Sequence, residues 1–467
     1  MSDNPIAGLI PRGSIGLKLL LVCVLVMIMA VPLGMVGLTL AGRQDRAHQV
    51  INEIGARAGG AQTLGGPVLL VPYTRTVLST TTEGAQRSDV IRGAYLILPT
   101  SGDAGASVQV ADRRRGIYRA AVYQADAQFH AEFDPAAAIV DINPGDQLNW
   151  SAARVVVFAR DARAMRDAAT ISFDGGAPMA ATTAMDLSVL PASLNGGARY
   201  VPENDPALQA FAAPAAVLAG GPRAFKVDSR LNVSGAQRFA IAAFAQNTTV
   251  SMRGNRRDAS ATGYFQSLDP LQVDAHGFAA HWRAPLSVNA KAVDLAQFSL
   301  QQLANRDMAV SFVSSDDLYV GVARAIAYGI LFIGLVFLAT LIFEAVSGKK
   351  AHPAQYILVG LAQCIFYLLL LSMTEIIGFD GAFLAGAAAT IALLAYYAAV
   401  SARSAGVGAG AFAGLTALYG AMYVLLTLED FALLAGSLVA FIAIAATMIA
   451  TRRIDWYGRT AQSPAAS

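Results

Sequence analysis

The stretch HPAQYILVGLAQCIFYLLLLSMTEIIGFD at 352–380 leaves this chain few ways to fold. A basic turn (Lys349, Lys350, His352, Pro353) leads into an almost unbroken apolar run from Tyr356 to Met373, and the run closes on Glu375. About 20 residues, each rising about 1.5 Å, cross a hydrocarbon core, so the segment is long enough to span a bilayer. Its two ends carry opposite charge. That asymmetry orients it, because cationic loops remain on the cytoplasmic side.

Apolar runs of similar length recur at 17–41, 320–347, 379–401, 406–428 and 431–451, and the stretch above supplies one at 355–373. The first follows Arg12 and Lys18. It is too long for a secretory signal, and Thr39-Leu40-Ala41 is a weak cleavage site, so it reads as an uncleaved anchor, kinked at Pro32 and Gly34. If six helices alternate across a membrane, Arg12, Lys18, Lys349, Lys350, Arg403, Arg452, Arg453 and Arg459 share one side. Glu375, Asp380, Glu429 and Asp430 then share the other. The expected order is a cytoplasmic tail (1–16), a first transmembrane helix (17–41), a periplasmic domain (42–318), a five-helix bundle (319–451) and a second cytoplasmic tail (452–467).

Residues 42–318 have a different character. They hold 25 basic and 25 acidic residues, a balance that argues against a nucleic-acid surface. Both cysteines, Cys23 and Cys364, fall in apolar runs, so this domain must be held by its core alone. A helix is expected to leave the membrane over 42–60, followed by Gly65-Gly66-Pro67 as a turn before a short apolar strand. Period-two or β-branched segments at 94–98, 116–133, 154–159, 225–233, 239–245, 248–252 and 277–282 predict further strands. The fold class is therefore membrane α-helical, with six transmembrane helices, plus a large, mainly β, sandwich-like extracytoplasmic domain.

Several blocks together resemble the CreD (Cet) family of bacterial inner-membrane proteins. They are the 352–379 stretch, LEDFALLAGS at 428–437, RRIDWY at 452–457, QTLGGPVLLVPY at 62–73 and RRRGIYRAAVY at 113–123. Their order and spacing are similar from about residue 14 to residue 458. One departure is Ile376, where a polar His after the Glu would be expected in related members. The resemblance implies a two-component-regulated protein linked to envelope integrity and envelope-stress tolerance. It implies no biochemical activity.

Candidate sites are few. Glu375, near a membrane boundary, suits a proton relay or ion ligand, or simple loop packing. Glu429 and Asp430 suit a divalent ion, acid–base work, or capping of the last helix. The three carboxylates could meet as an acidic cluster. Lys349, Lys350 and His352 read as a cytoplasmic anchor or docking turn. Arg452, Arg453, Trp456 and Tyr457 fit the headgroup level, and Arg113–Arg115 a solvated strand end. His276 and His281 lie on opposite faces of a strand, so even with His130 a metal site is unsupported. No nucleophile elbow, HExxH, P-loop or CxxC occurs, and no cofactor is expected.

The function expected is a non-enzymatic multipass inner-membrane protein supporting envelope integrity through the bilayer, envelope proteins or cell-wall components. The alternative is a transporter or lipid-handling protein whose outer domain receives the substrate.

Overall fold

The computed structural model describes residues 15–80, 86–183, 208–286, 291–298, 300–312, 317–347 and 352–427, with short helical stretches between 436 and 449. It divides into two compact units, 1–48 with 316–467, and 49–315. The helices are α1 (Ile15–Ala58), α2 (Pro135–Ala138), α3 (Leu300–Ala304), α4 (Asp317–Ser347), α5 (Pro353–Ala402) and α6 (Ala405–Thr427). Four of them, α1, α4, α5 and α6, are long and apolar enough to cross a membrane. The expected last helix at 431–451 and the closing RRIDWY lie largely outside the described residues.

Anchor and exit helix, read separately from the sequence, form one helix of 44 residues. It continues through Pro32 without a break. A proline removes one backbone donor, which neighbouring helices in a membrane tolerate better than water does.

The helix α5 is 50 residues long, but Gly378 sits at φ 77° and ψ 171°, outside helical space. Its halves fold back on each other. Gln355 Nε2 donates to Ser401 Oγ at 2.9 Å, and the Phe366 and Phe383 rings lie 5.6 Å apart. A straight helix would hold Gln355 and Ser401 about 69 Å apart. This glycine therefore makes a helical hairpin that no bulkier residue would enter without strain.

Small residues let the helices approach. A Cβ on Gly360 would come within 2.7 Å of Met29 Sδ and Phe337, and one on Gly329 within 2.7 Å of Leu33. Close backbone approach of this kind holds helices together where lipid offers no hydrophobic drive. Gly37 meets Ile326 and Gly334 meets Val26, so α1 and α4 run antiparallel.

The second unit is built from two sheets. One runs Ala259–Gly263, Asp307–Phe312, Arg238–Ala242, Gln62–Thr80, Arg154–Ala159, Gln209–Pro214, Thr182–Thr183, with Gln86–Ile97, Asp146–Leu148 and Ala292–Asp294 attached. The other runs Gln272–Asp274, Gly277–Pro285, Asn247–Gly254, Ser101–Arg115, Tyr118–Phe133, Phe225–Ala236, Thr170–Phe173, Met179–Ala180. Among the described strands pairing is antiparallel except for Gln62–Thr80 with Arg238–Ala242, and Asn247–Gly254 with Ser101–Arg115. One hydrophobic core draws on both sheets. Rings cross it: Tyr123 to Phe239 at 5.6 Å, Phe129 to Phe244 at 5.5 Å, Phe278 to Phe312 at 6.0 Å.

Gly65 and Gly66 are not a turn. Both lie inside the Gln62–Thr80 strand, at a bulge before Val68. A Cβ on Gly65 would strike the Phe158 ring, and one on Gly66 would stand 2.5 Å from Phe244. The paired glycines make room for two rings of the core, which is a packing demand and not a chain reversal.

Candidate functional site

Among the described residues the helical unit buries two carboxylates, and both are partnered. Glu344, near the C-terminal end of α4, is 6% exposed and forms an ion pair with Lys18 of α1. Tyr356 Oη donates to its second oxygen at 3.2 Å from the start of α5. Glu375, late in the first half of α5, is 10% exposed and forms an ion pair with Arg43 of α1. Tyr319 Oη, from the first turn of α4, donates to it at 2.9 Å. Each cluster thus joins the same three helices through one acid, one cation and one tyrosine.

Their spacing is the informative quantity. Lys18 and Arg43 stand twenty-five residues apart on α1, as do Tyr319 and Glu344 on α4. At 1.5 Å per residue that is about 37 Å, slightly more than the roughly 30 Å of a hydrocarbon core. Between the clusters α1 carries no charge, and neither does α5 from Tyr356 to Thr374. A lone buried carboxylate is costly in such surroundings, whereas one that is both ion-paired and hydrogen-bonded has its charge and lone pairs satisfied. Removal of the cation would leave the charge uncompensated.

Glu375 was singled out from the sequence; its partners were not. Glu429 and Asp430 lie outside the described residues, so the expected acidic cluster is not on view. Instead a cation and a phenol surround Glu375. Lys349 and Lys350 also lie outside the described residues. His352 caps α5: its Nδ1 accepts from Ala354 N at 3.2 Å, while Gln355 Oε1 accepts from His352 N at 3.2 Å. Sequence reasoning passed over Glu344, although a single acid within an apolar run of spanning length is itself a signal.

A second buried charge centre lies in the β unit. Arg75 holds Asp146 through two hydrogen bonds, 2.6 and 2.7 Å, and the Asp146 side chain is 0% exposed. Tyr95 Oη donates to Asp146 and Tyr73 Oη to Asp294, each at 2.7 Å. The Arg75 guanidinium holds the Asp146 carboxyl below the usual range, and burial followed by the Asp294 contact pushes the Tyr73 phenol up. The network pins the Gln62–Thr80/Gln86–Ile97 hairpin to two short strands distant in sequence, Asp146–Leu148 and Ala292–Asp294. Elsewhere Arg115, at the exposed strand end, pairs with Glu53. His130 pairs with Asp228, and His281 lies three strands from it, about 14 Å at ordinary strand spacing. Among the described residues no group of three or more His, Cys, Asp or Glu could hold a metal.

The family model for "Inner membrane protein CreD" matches residues 14–457. The chain belongs to the CreD family. The inner membrane protein CreD of Escherichia coli (strain K12) is 27% identical over 439 residues, 92% of this chain and 91% of that protein. The match therefore takes in both units, including every residue of the two charge clusters.

Proposed function

We propose that this CreD-family protein is a non-enzymatic inner-membrane scaffold that supports envelope integrity under stress. In this reading six helices span the membrane, both termini are cytoplasmic, and the β unit stands in the periplasm. The α5 hairpin accounts for two of the crossings, and Lys349, Lys350 and Arg403 would lie opposite Glu375 and Asp380.

The observation that carries the reading is the closure of both buried carboxylates into ion-paired clusters about one membrane thickness apart. A proton or ion path would place ionisable groups along the bundle. Here the charges of both clusters stand at its two ends, Arg324 lies five residues inside the Tyr319 end of α4, and the middle is packed at Gly329 and Gly360. That arrangement favours a bundle locked in one state over one that alternates. The envelope role extends this reading from what the sequence resemblance implies. A deletion strain challenged with detergents and cell-wall antibiotics tests it: sensitivity restored to normal by the wild-type chain supports the reading, and unchanged tolerance in the deletion strain contradicts it.

A further inference from the structure

The outer face of the second sheet carries a depression of about 580 Å³, within the range of ligand sites. Strand register builds it from two adjacent rows. The first sets Thr249, Asp103, His130 and Asp228 side by side on four neighbouring strands. The second sets Ser251, Gly105, Gln128 and Arg230 beside them. At about 4.8 Å per strand, each row extends about 14 Å. Gly105 lies in the middle of the second row, and its missing side chain helps to form the hollow. A Cβ there would meet only Ser251 Oγ, at 3.7 Å.

The chemistry of these rows is selective. His130 Nδ1 lies 2.6 Å from Asp228, and Arg230 makes two hydrogen bonds to Asp126, at 2.7 and 2.6 Å. These pairs fix the walls. The side chains of Asp103, Gln128 and Thr249 have no hydrogen bond or ion pair among the described residues, and all three are exposed. A free carboxylate repels phosphates and anionic headgroups. The inward neighbours Ala104 and Phe129 belong to the core and also line the depression, so its polar groups stand over a partly apolar floor. What remains is a carboxylate acceptor, an amide that both donates and accepts, and hydroxyls, all on a rigid sheet.

We propose that this hollow binds an uncharged glycan chain bearing hydroxyl and acetamido groups. Asp103 accepts from sugar hydroxyls, Gln128 pairs with an acetamido group, and Gly105 admits the ring. The proposal rests on the reading that places the β unit outside the membrane, where such polymers occur. Binding itself can be measured without that topology.

The test uses the full chain in detergent micelles, titrated by calorimetry with a β-linked N-acetylglucosamine tetramer, a glucose tetramer and tetralysine. The N-acetylated tetramer should bind saturably and more tightly than either of the others. Asp103→Ala should weaken it roughly tenfold, the equivalent of one lost hydrogen bond to a charged group. Gly105→Gln should abolish it by filling the hollow. Both positions face solvent, so unchanged melting checks that the variants fold, and Gln128→Ala serves if Gly105→Gln does not. No binding, tighter binding of tetralysine, or equal binding by folded variants overturns the site. An inactive periplasmic reporter in the β unit would instead overturn the topology and leave the binding result intact.

Discussion

Lys18→Met leaves Glu344 with a phenol and no cation in a setting where the carboxylate is 6% exposed. Breaking one side of a buried ion pair costs about 3–5 kcal/mol. Lys18 is itself 34% exposed, so residual solvent should place the loss near the lower end, about 3 kcal/mol. Glu344→Gln alone should cost less, about 1–2 kcal/mol, because the amide oxygen still accepts from Tyr356 and the lost charge no longer needs a partner. The double variant Lys18→Met/Glu344→Gln removes both charges together and should lie within about 1 kcal/mol of wild type, as neutral replacements of buried pairs often do. The cycle therefore predicts a coupling of about 3–5 kcal/mol. Denaturant-driven unfolding in mixed micelles, followed by near-ultraviolet circular dichroism, measures each corner. A coupling below about 0.5 kcal/mol would mean that the two groups do not act as a pair and would refute the argument.

Gln355→Cys/Ser401→Cys, with Cys23 and Cys364 replaced by alanine, should cross-link on oxidation and leave a single compact species on a gel; a straight α5 would leave the thiols far apart and uncoupled. Arg75→Met should cost about 3 kcal/mol at neutral pH by stranding Asp146. Because Arg75 lowers the Asp146 pKa, that contribution is present above the ordinary value of 3.8 and is lost as pH falls through the lower folded value. The gap between wild type and variant in unfolding experiments should then close below about pH 4, and a gap that persisted would point to packing instead. Gly65→Ala should cost about 1–3 kcal/mol through overpacking against Phe158, with partial recovery by Phe158→Leu in the same melts.

Which parts of this were legible in the sequence follows from how far apart the interacting residues lie. The apolar runs are local, and their positions match α1, α4, both halves of α5 and α6. β-Branched runs and alternation are local too, which is why 154–159 and 225–233 read as strands. Ser101–Arg115 escaped notice because the first three of its inward positions are Gly102, Ala104 and Ala106, which signal little β preference, and only Val108 and Val110 follow them. Gly102 is small because Phe244, from the connection after Arg238–Ala242, sits over it. Gly65-Gly66 was misread for the same reason, since the rings they accommodate come from Phe158 and Phe244. Of the charge clusters, Glu375 stood out by position alone. Its partner Arg43 is 332 residues away and Glu344's partner Lys18 is 326 residues away, so no spacing rule could join them.

The central claim is that the buried carboxylates lock the bundle and do not perform chemistry. It is tested most directly by complementing a deletion strain with Arg43→Met/Glu375→Gln, with the amount of folded protein in the membrane measured alongside. The account predicts that this neutral pair accumulates normally and restores envelope tolerance, whereas Arg43→Met alone accumulates poorly. A double variant that folds to normal levels yet fails to restore tolerance would show that the charge on Glu375 is itself required, and would contradict the account.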